Sequence, residues 1–265
     1  MKNVLLLVHD DPGQETRFQV ALDLVRALDG HLSCIDVSVM PIPTIGVYEP
    51  TSEAMLLQIE REREAHNRTK LEARLQTEGV QWTWLDTTDE LAEAVLDAAA
   101  LADLIVLNRR LDSTTHPDAR DIASQVVMHA RKPVVAVPET LARFGLDRAL
   151  IAWDGREACA ATLRASVPLL ALAEQVEIFA VRDGGEGVSP TDAAEYLSRH
   201  GIHATIREVP DAGTTPDRLI ALEANDWQAD YLVMGAYTEG RLVEIFGGVT
   251  KRLLTDCAIP IVLGH

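Results

Sequence analysis

The chain has 265 residues, 47% of them hydrophobic and 25% charged, with a formal net charge of −17. That is long enough for one large domain or two of common size. Its acidity repels a polyanion, which argues against nucleic-acid binding, and no stretch approaches the ~18 apolar residues of a membrane span.

Taken in chain order, Val4–Val8 is a short continuous apolar run, the pattern of a strand covered on both faces. Gln14 to Leu28 follows with Ala21, Leu24, Val25 and Leu28 on one helical stripe, and Gly30 suits the stop. LSCIDVSV predicts a second strand, a charge-laced helix runs from about Ser52 to Glu78, and QWTWLDT predicts a third strand. Leu91, Ala94, Val95 and Ala98 stripe the next helix; LIVLN and PVVAV are strands, with a helix near Ile122–Arg131 between them. The same alternation returns with strands at Ala149–Trp153, Val176–Val181, His203–Val209, Tyr231–Met234 and Ile259–Leu263.

The return is a repeat. KNVLLLVHDD matches RALIAWDG, pairing Asp10 with Asp154 at an offset of 144. ADLIVLNRR matches ADYLVMGAY and RKPVVAVPE matches CAIPIVLGH, pairing Asp103 with Asp230 and Pro133 with Pro260 at an offset of 127. The drop in offset places extra residues in the first copy, between about Pro41 and Glu64. Two units follow, residues 1–140 and 147–265, joined by TLARFGLDR. Alternating strands and helices predict an α/β protein of two tandem, doubly wound, Rossmann-like parallel sheets. Ligands of such sheets sit beyond the carboxyl ends of the strands, where Asp10, Asp154 and the loop after Gly235 fall.

LIAWDGREA and VMGAYTEGRLVEIFGGVTKRLL, with IPIVL at the end, carry a resemblance over nearly the whole chain, twice over. The order of elements and these segments resemble the universal stress protein family in its tandem form. The resemblance implies a fold of the adenine nucleotide alpha hydrolase type, and a pseudo-two-fold axis with the two units paired through PVVAV and IPIVL. It leaves a further homodimer open. In the nucleotide-binding branch a glycine, two residues, a glycine, nine residues, a glycine and a Ser or Thr hold phosphates by backbone amides, and the aspartate ending the first strand holds the adenine or ribose. Carried over, the contacts fall on Asp154, Val181, Met234, Gly235, Tyr237, Gly247, Gly248, Val249 and Thr250, and the implied ligand is ATP or another adenine nucleotide, with Mg²⁺.

The loop departs from that pattern. Thr238 stands where the second glycine belongs. Gly247, taken as the third glycine, leaves the interval one residue short, with Gly248 at the hydroxyl position. Thr238 obstructs close backbone approach, whereas Gly247, Gly248 and Thr250 still make an amide-rich helix start. Nucleotide binding by the second unit is therefore open. The first unit has Asn108 where the second has Gly235, and no glycine between Gly79 and Gly145, so no phosphate loop is expected there.

The remaining features read as structural. His9 and Asp10 are adjacent on an extended chain and point opposite ways, so they do not share a metal, and Asp11 caps the following helix. Asp154 either binds ligand or turns the chain through Gly155 and Arg156. Glu60–Glu64 and Glu64–Arg68 read as a solvated helix face, His66 as exposed, and Arg109 and Arg110 as solvated loop charge. Trp82 and Trp84 share one face under a helix, and PIPTIGVYEP packs internally rather than closing a pocket. The three cysteines, Cys34, Cys159 and Cys257, form no zinc-type cluster and read as reduced buried thiols. MKNVLLLVHDD is too short an apolar run for a signal peptide, so the expected location is the cytoplasm. No catalytic residue and no metal site are expected, because no nucleophile elbow, HExxH or Walker motif is present. Three functions remain: a stress-response binding or regulatory protein, a slow ATPase or other nucleotide-dependent enzyme, and a partner-interaction protein that binds no nucleotide.

Overall fold

The computed structural model describes residues 1–39, 50–109, 122–182, 187–211, 213–236 and 248–265. The first half runs β1 (Asn3–Val8), α1 (Gln14–Leu28), β2 (His31–Val37), α2 (Pro50–Leu75), β3 (Gln81–Thr87), α3 (Leu91–Ala98), β4 (Leu104–Asn108), α4 (Ile122–Ala130) and β5 (Val134–Val137). The second runs β6 (Arg148–Trp153), α5 (Glu157–Leu170), β7 (Gln175–Arg182), α6 (Pro190–Arg199), β8 (Ala204–Pro210), α7 (Pro216–Asp226), β9 (Tyr231–Gly235), α8 (Gly248–Asp256) and β10 (Ile261–Gly264). The extra length of the first half appears as α2, with 26 residues against 10 in α6. Most of the proline-rich loop before α2 lies outside the described residues, and so does Arg110.

The strands form one sheet in the order β3-β2-β1-β4-β5-β10-β9-β6-β7-β8. Among the described residues, pairing is parallel within each half and antiparallel where β5 meets β10, with Ile261 opposite Ala136, Val262 opposite Val135 and Leu263 opposite Val134. Strand order therefore reads the same inward from either edge, which is the pseudo-two-fold relation. The apolar runs are continuous because both faces are covered. β1 sends Val4, Leu6 and Val8 into one core with α1 and the end of α2, and Leu5 and Leu7 into the other with α3 and α4. Each core continues across β5 and β10 into the second half. A fully buried leucine or valine contributes about 1.5–3 kcal/mol, so these two layers dominate stability. The three cysteines are buried and free, as their spacing suggested.

The aspartates that mark the repeat have a structural duty. Asp103 Oδ2 accepts the backbone N–H groups of Lys2 (2.7 Å) and Asn3 (2.9 Å), and these bonds hold its carboxyl below the usual range. Asp230 Oδ2 accepts the N–H of Arg148 (2.8 Å). Each ties the start of one half's first strand to the turn before its fourth. The connector between the halves is anchored on both sides: the Phe144 N–H donates to Asp23 Oδ2 (3.1 Å), and the Phe144 ring stacks on Tyr231 at 5.4 Å.

Arg109 corrects the reading of solvated loop charge. It is buried, its N–H donates to the Val137 carbonyl (3.0 Å), and its guanidinium donates to the carbonyls of Cys257 and Ile259 in the other half. The planar fork can serve two carbonyls at once. Replacing Arg109 by Ala leaves buried acceptors without donors, and urea unfolding is expected to show a loss of about 1–3 kcal/mol; an unchanged midpoint would remove Arg109 from the set of contacts that join the halves.

Glu177 on β7 and Glu223 on α7 are both buried, and Arg207 on β8 pairs with Glu223 at 3.1 Å. Burial, and then the neighbouring Glu223, push the Glu177 carboxyl up to about 7. The folded chain thus holds a proton between pH 4.5 and about 7 that the unfolded chain releases, so stability falls as pH rises through that window. Glu177→Gln removes the charge. It should be the more stable protein at pH 8, by on the order of 1 kcal/mol, with the difference gone near pH 4; equal midpoints at pH 8 would contradict this.

Candidate functional site

Where the winding of the second half reverses, between β6 and β9, the structure has a cavity of about 360 Å³. β6 supplies Ala152 and Trp153, β7 supplies Phe179 and Val181, and β9 supplies Met234 and Gly235. Asp154 and Arg156 lie in the turn after β6, Pro216 and Ile220 on α7, and Gly248, Val249 and Thr250 in the first turn of α8. Seven of the nine expected contact residues thus line one cavity: Asp154, Val181, Met234, Gly235, Gly248, Val249 and Thr250. Tyr237 and Gly247 lie outside the described residues.

The turn carrying Asp154 is held firmly. Asp154 Oδ1 accepts the Arg156 N–H (3.0 Å), an Asx turn that delivers the chain into α5, and the aspartate is exposed at the rim. Gly155 has φ +72°, and a Cβ there would lie 2.7 Å from the Val188 carbonyl. The Trp153 Nε1–H donates to that same carbonyl at 2.8 Å. Both readings of Asp154 therefore survive: one carboxylate oxygen turns the chain, and the residue stands at the mouth of the cavity. On the opposite wall Arg252 of α8 bonds Asp217 of α7 at 2.7 Å, fixing the two helices. Burial pushes the Asp217 carboxyl up, but hydrogen bonds from Arg252, Thr215 and the backbone, with the Arg252 charge, together hold it below the usual range.

Gly235 is demanded by packing. A Cβ there would sit 2.4 Å from the Cys159 backbone nitrogen, so the first turn of α5 rests on the end of β9. In the first half the small residue has changed sides. Asn108, fully buried, ends β4, and it is Gly13 at the start of α1 whose Cβ would meet Asn108, at 2.6 Å. Asn108 accepts from Arg17, which is fully buried and also donates to the carbonyls of Leu7 (2.6 Å) and His9 (3.0 Å) and to Asp11 Oδ2 (2.7 Å). This side-chain network ties the end of β4 to the start of α1, where the second half seats α5 directly on Gly235.

Here the sequence reading missed three things. Arg17 is a core residue, although it falls on the Ala21–Leu24–Leu28 stripe, where a lone cation was the signal. Asp11 does not cap α1 with its side chain; Gly13 is the cap residue, and Asp11 Oδ1 accepts the Gly13 N–H (2.8 Å) while the carboxylate pairs with Arg17. Glu64 is not on a solvated face: it is buried, with Oε1 2.9 Å from His9 Nδ1 and accepting the Asp10 N–H (3.3 Å). Arg68 turns instead to Glu72 (2.7 Å) and Asp86. Burial pushes the Glu64 carboxyl up, but the His9 ring, the Asp10 N–H and Arg63 outweigh it and hold it low. Beside it, burial and then Glu64 and Asp86 push Asp36 up to about 7. His66 is exposed, as expected, and Trp82 and Trp84 are half-buried against the core that contains Leu71 and Leu75 of α2.

No protein-family model matches the chain. No curated protein matches its sequence. Solved structures do match. A universal stress protein from Archaeoglobus fulgidus DSM 4304 superposes with a TM-score of 0.78 at 14% identity, over 99% of this chain and 95% of the other. A candidate universal stress protein from Pseudomonas aeruginosa UCBPP-PA14 gives 0.59 at 16%, over 100% and 93%. A functionally unknown protein from Pseudomonas aeruginosa PAO1 gives 0.60 at 16%, over 100% and 92%. These likenesses show the fold: the chain has the architecture of a tandem universal stress protein. Among the described residues no helix is long and apolar enough to cross a membrane.

The packing of Gly235 is directly testable. Gly235→Ala should push α5 off β9 and lower stability by about 1–3 kcal/mol. An unchanged denaturation midpoint would show that the first turn of α5 retreats freely.

Proposed function

We propose that this chain is a cytoplasmic binding and regulatory protein of the universal stress protein type, built of a first unit (1–140) and a second (147–265), and that the second binds an adenine nucleotide. The observation that carries this is the convergence of seven expected contact residues on one cavity. Its inner wall of Ala152, Phe179, Val181, Ile220 and Met234 is an apolar slot for a flat base. Its volume, about 360 Å³, falls in the range of small-molecule sites, roughly 300–1,000 Å³. Asp154 at the rim is an acceptor for a ribose hydroxyl or the base amine. α8 presents Gly248, Val249 and Thr250 to the cavity, and N–H groups at a helix start suit a phosphate. Among the described residues the cavity lining offers one carboxylate, Asp154, and the reading proposed is binding.

The test is calorimetric titration of ATP with Mg²⁺ into the purified chain. About one nucleotide per chain is expected. Val249→Trp, which fills the cavity from the first turn of α8, should weaken binding at least about tenfold, or roughly 1.4 kcal/mol. Asp10→Ala in the first unit should leave affinity unchanged. Absence of heat in the unaltered protein would overturn the nucleotide reading and leave partner interaction as the function to pursue.

A further inference from the structure

We propose that the first half binds a divalent transition-metal ion between His9, at the end of β1, and Glu60 and Glu64 of α2. This is independent of any nucleotide in the second half. One donor atom from each of the three residues lies within 4.8 Å of the other two. Adjacent His9 and Asp10 cannot share an ion, but α2 crosses the end of β1 and brings two carboxylates to the His9 ring. Glu60 and Glu64 are one helical turn apart and so present to the same side.

The His9 ring is buried and turned toward the two carboxylates. The ring is 2% exposed, and Nδ1 lies 2.9 Å from Glu64 Oε1, yet the approach is off the line of a hydrogen bond and Nδ1 has no hydrogen-bond partner. Two donor atoms, each about 2.1 Å from a metal, sit about 3 Å apart in an octahedral site and about 3.4 Å apart in a tetrahedral one, so the 2.9 Å contact needs only a small opening to admit an ion.

The carboxylate is also oriented from behind. Glu64 Oε2 accepts from Asn67 (3.3 Å), and Asn67 is locked to Gln14 by two reciprocal amide bonds of 2.8 and 2.7 Å. Such outer contacts set ligand direction. The site is reachable: Glu64 also walls an open polar cavity of about 520 Å³ with Asp36, Asp86, Arg61 and Arg68. Water in that cavity can complete the coordination.

One group competes. Arg63 Nη2 is 2.7 Å from Glu60 Oε1 and 3.2 Å from Glu64 Oε1, so the guanidinium holds the charge that an ion would take over. Its side chain is 38% exposed and can swing into solvent. One imidazole and two carboxylates suit zinc, manganese(II) or iron(II), whereas magnesium and calcium prefer oxygen donors alone.

The experiment uses the full-length chain, stripped with a chelator and titrated with ZnCl₂ and, separately, MnCl₂. Binding of one ion per chain is expected, with a rise in Tm. Glu60→Gln should weaken binding at least about tenfold, and Arg63→Gln should tighten it. The opposite signs separate this site from adventitious binding at surface histidines. His9→Gln should abolish binding; should that variant fail to fold, Glu60→Gln, whose side chain reaches solvent, decides alone. No binding by the unaltered chain, or equal affinity in Glu60→Gln, overturns the proposal.

Discussion

The structure hangs on the antiparallel meeting of β5 and β10. Within each half every described strand pair is parallel, and a parallel sheet of this kind has an inner edge that must be covered or paired. Each half supplies the other's missing neighbour. The two cores become continuous across the seam, which is why Val135 and Val262 belong to one core and Ala136 and Ile261 to the other. The connector is short and pinned by Phe144, so the pairing is intramolecular and its effective concentration high. Arg109 then crosses the seam and saturates carbonyls beside β10 that its own half could not reach.

An antiparallel seam also sets direction. The carboxyl ends of β1 to β5 and those of β6 to β10 face opposite edges of the sheet, so the two halves present their loop-built corners away from each other. The corners have diverged by exchanging one small residue. With Gly235 on the strand, α5 comes down onto β9, and the cavity opens beside it, lined by apolar side chains. With Gly13 on the helix side, Asn108 on the strand has a side chain to place, and Arg17 rises from the core to meet it. That pulls Asp11 and the His9 carbonyl into one network. The change of side leaves α5 seated directly on β9 in one half and a packed polar network between β4 and α1 in the other.

The fold was legible because burial on both faces leaves a plain mark. LLLV, LIVL, VVAV, LIAW, YLVM and IVL are apolar without alternation, and all became strands. The edge strands β3 and β8 alternate or expose most positions, as strands with one neighbour do. The repeat was legible through Asp103 and Asp230, which recur because each receives strand-opening N–H groups. What escaped included charged side chains whose partners lie far away in sequence. Glu64 bonds a residue 54 positions earlier and Arg109 one 148 later. Such partners leave no local trace. Helical phase was the one available clue: Glu60, Glu64 and Asn67 sit on the stripe that continues to Leu71 and Leu75.

Charge separates the two corners further. The chain carries 41 acidic against 24 basic side chains, and two of those cations, Arg17 and Arg109, are buried in the first half on backbone carbonyls. At the place of Arg109 the second half has Ala236, whose N–H pairs with the Gly264 carbonyl (2.8 Å) as Arg109's does with Val137. Arg252, beside Gly248, is already engaged by Asp217. Among the described residues, the rim of the second cavity sets one cation, Arg156, beside one carboxylate, Asp154, whereas the first half commits two arginines to its interior; the two corners therefore differ in charge as well as in shape.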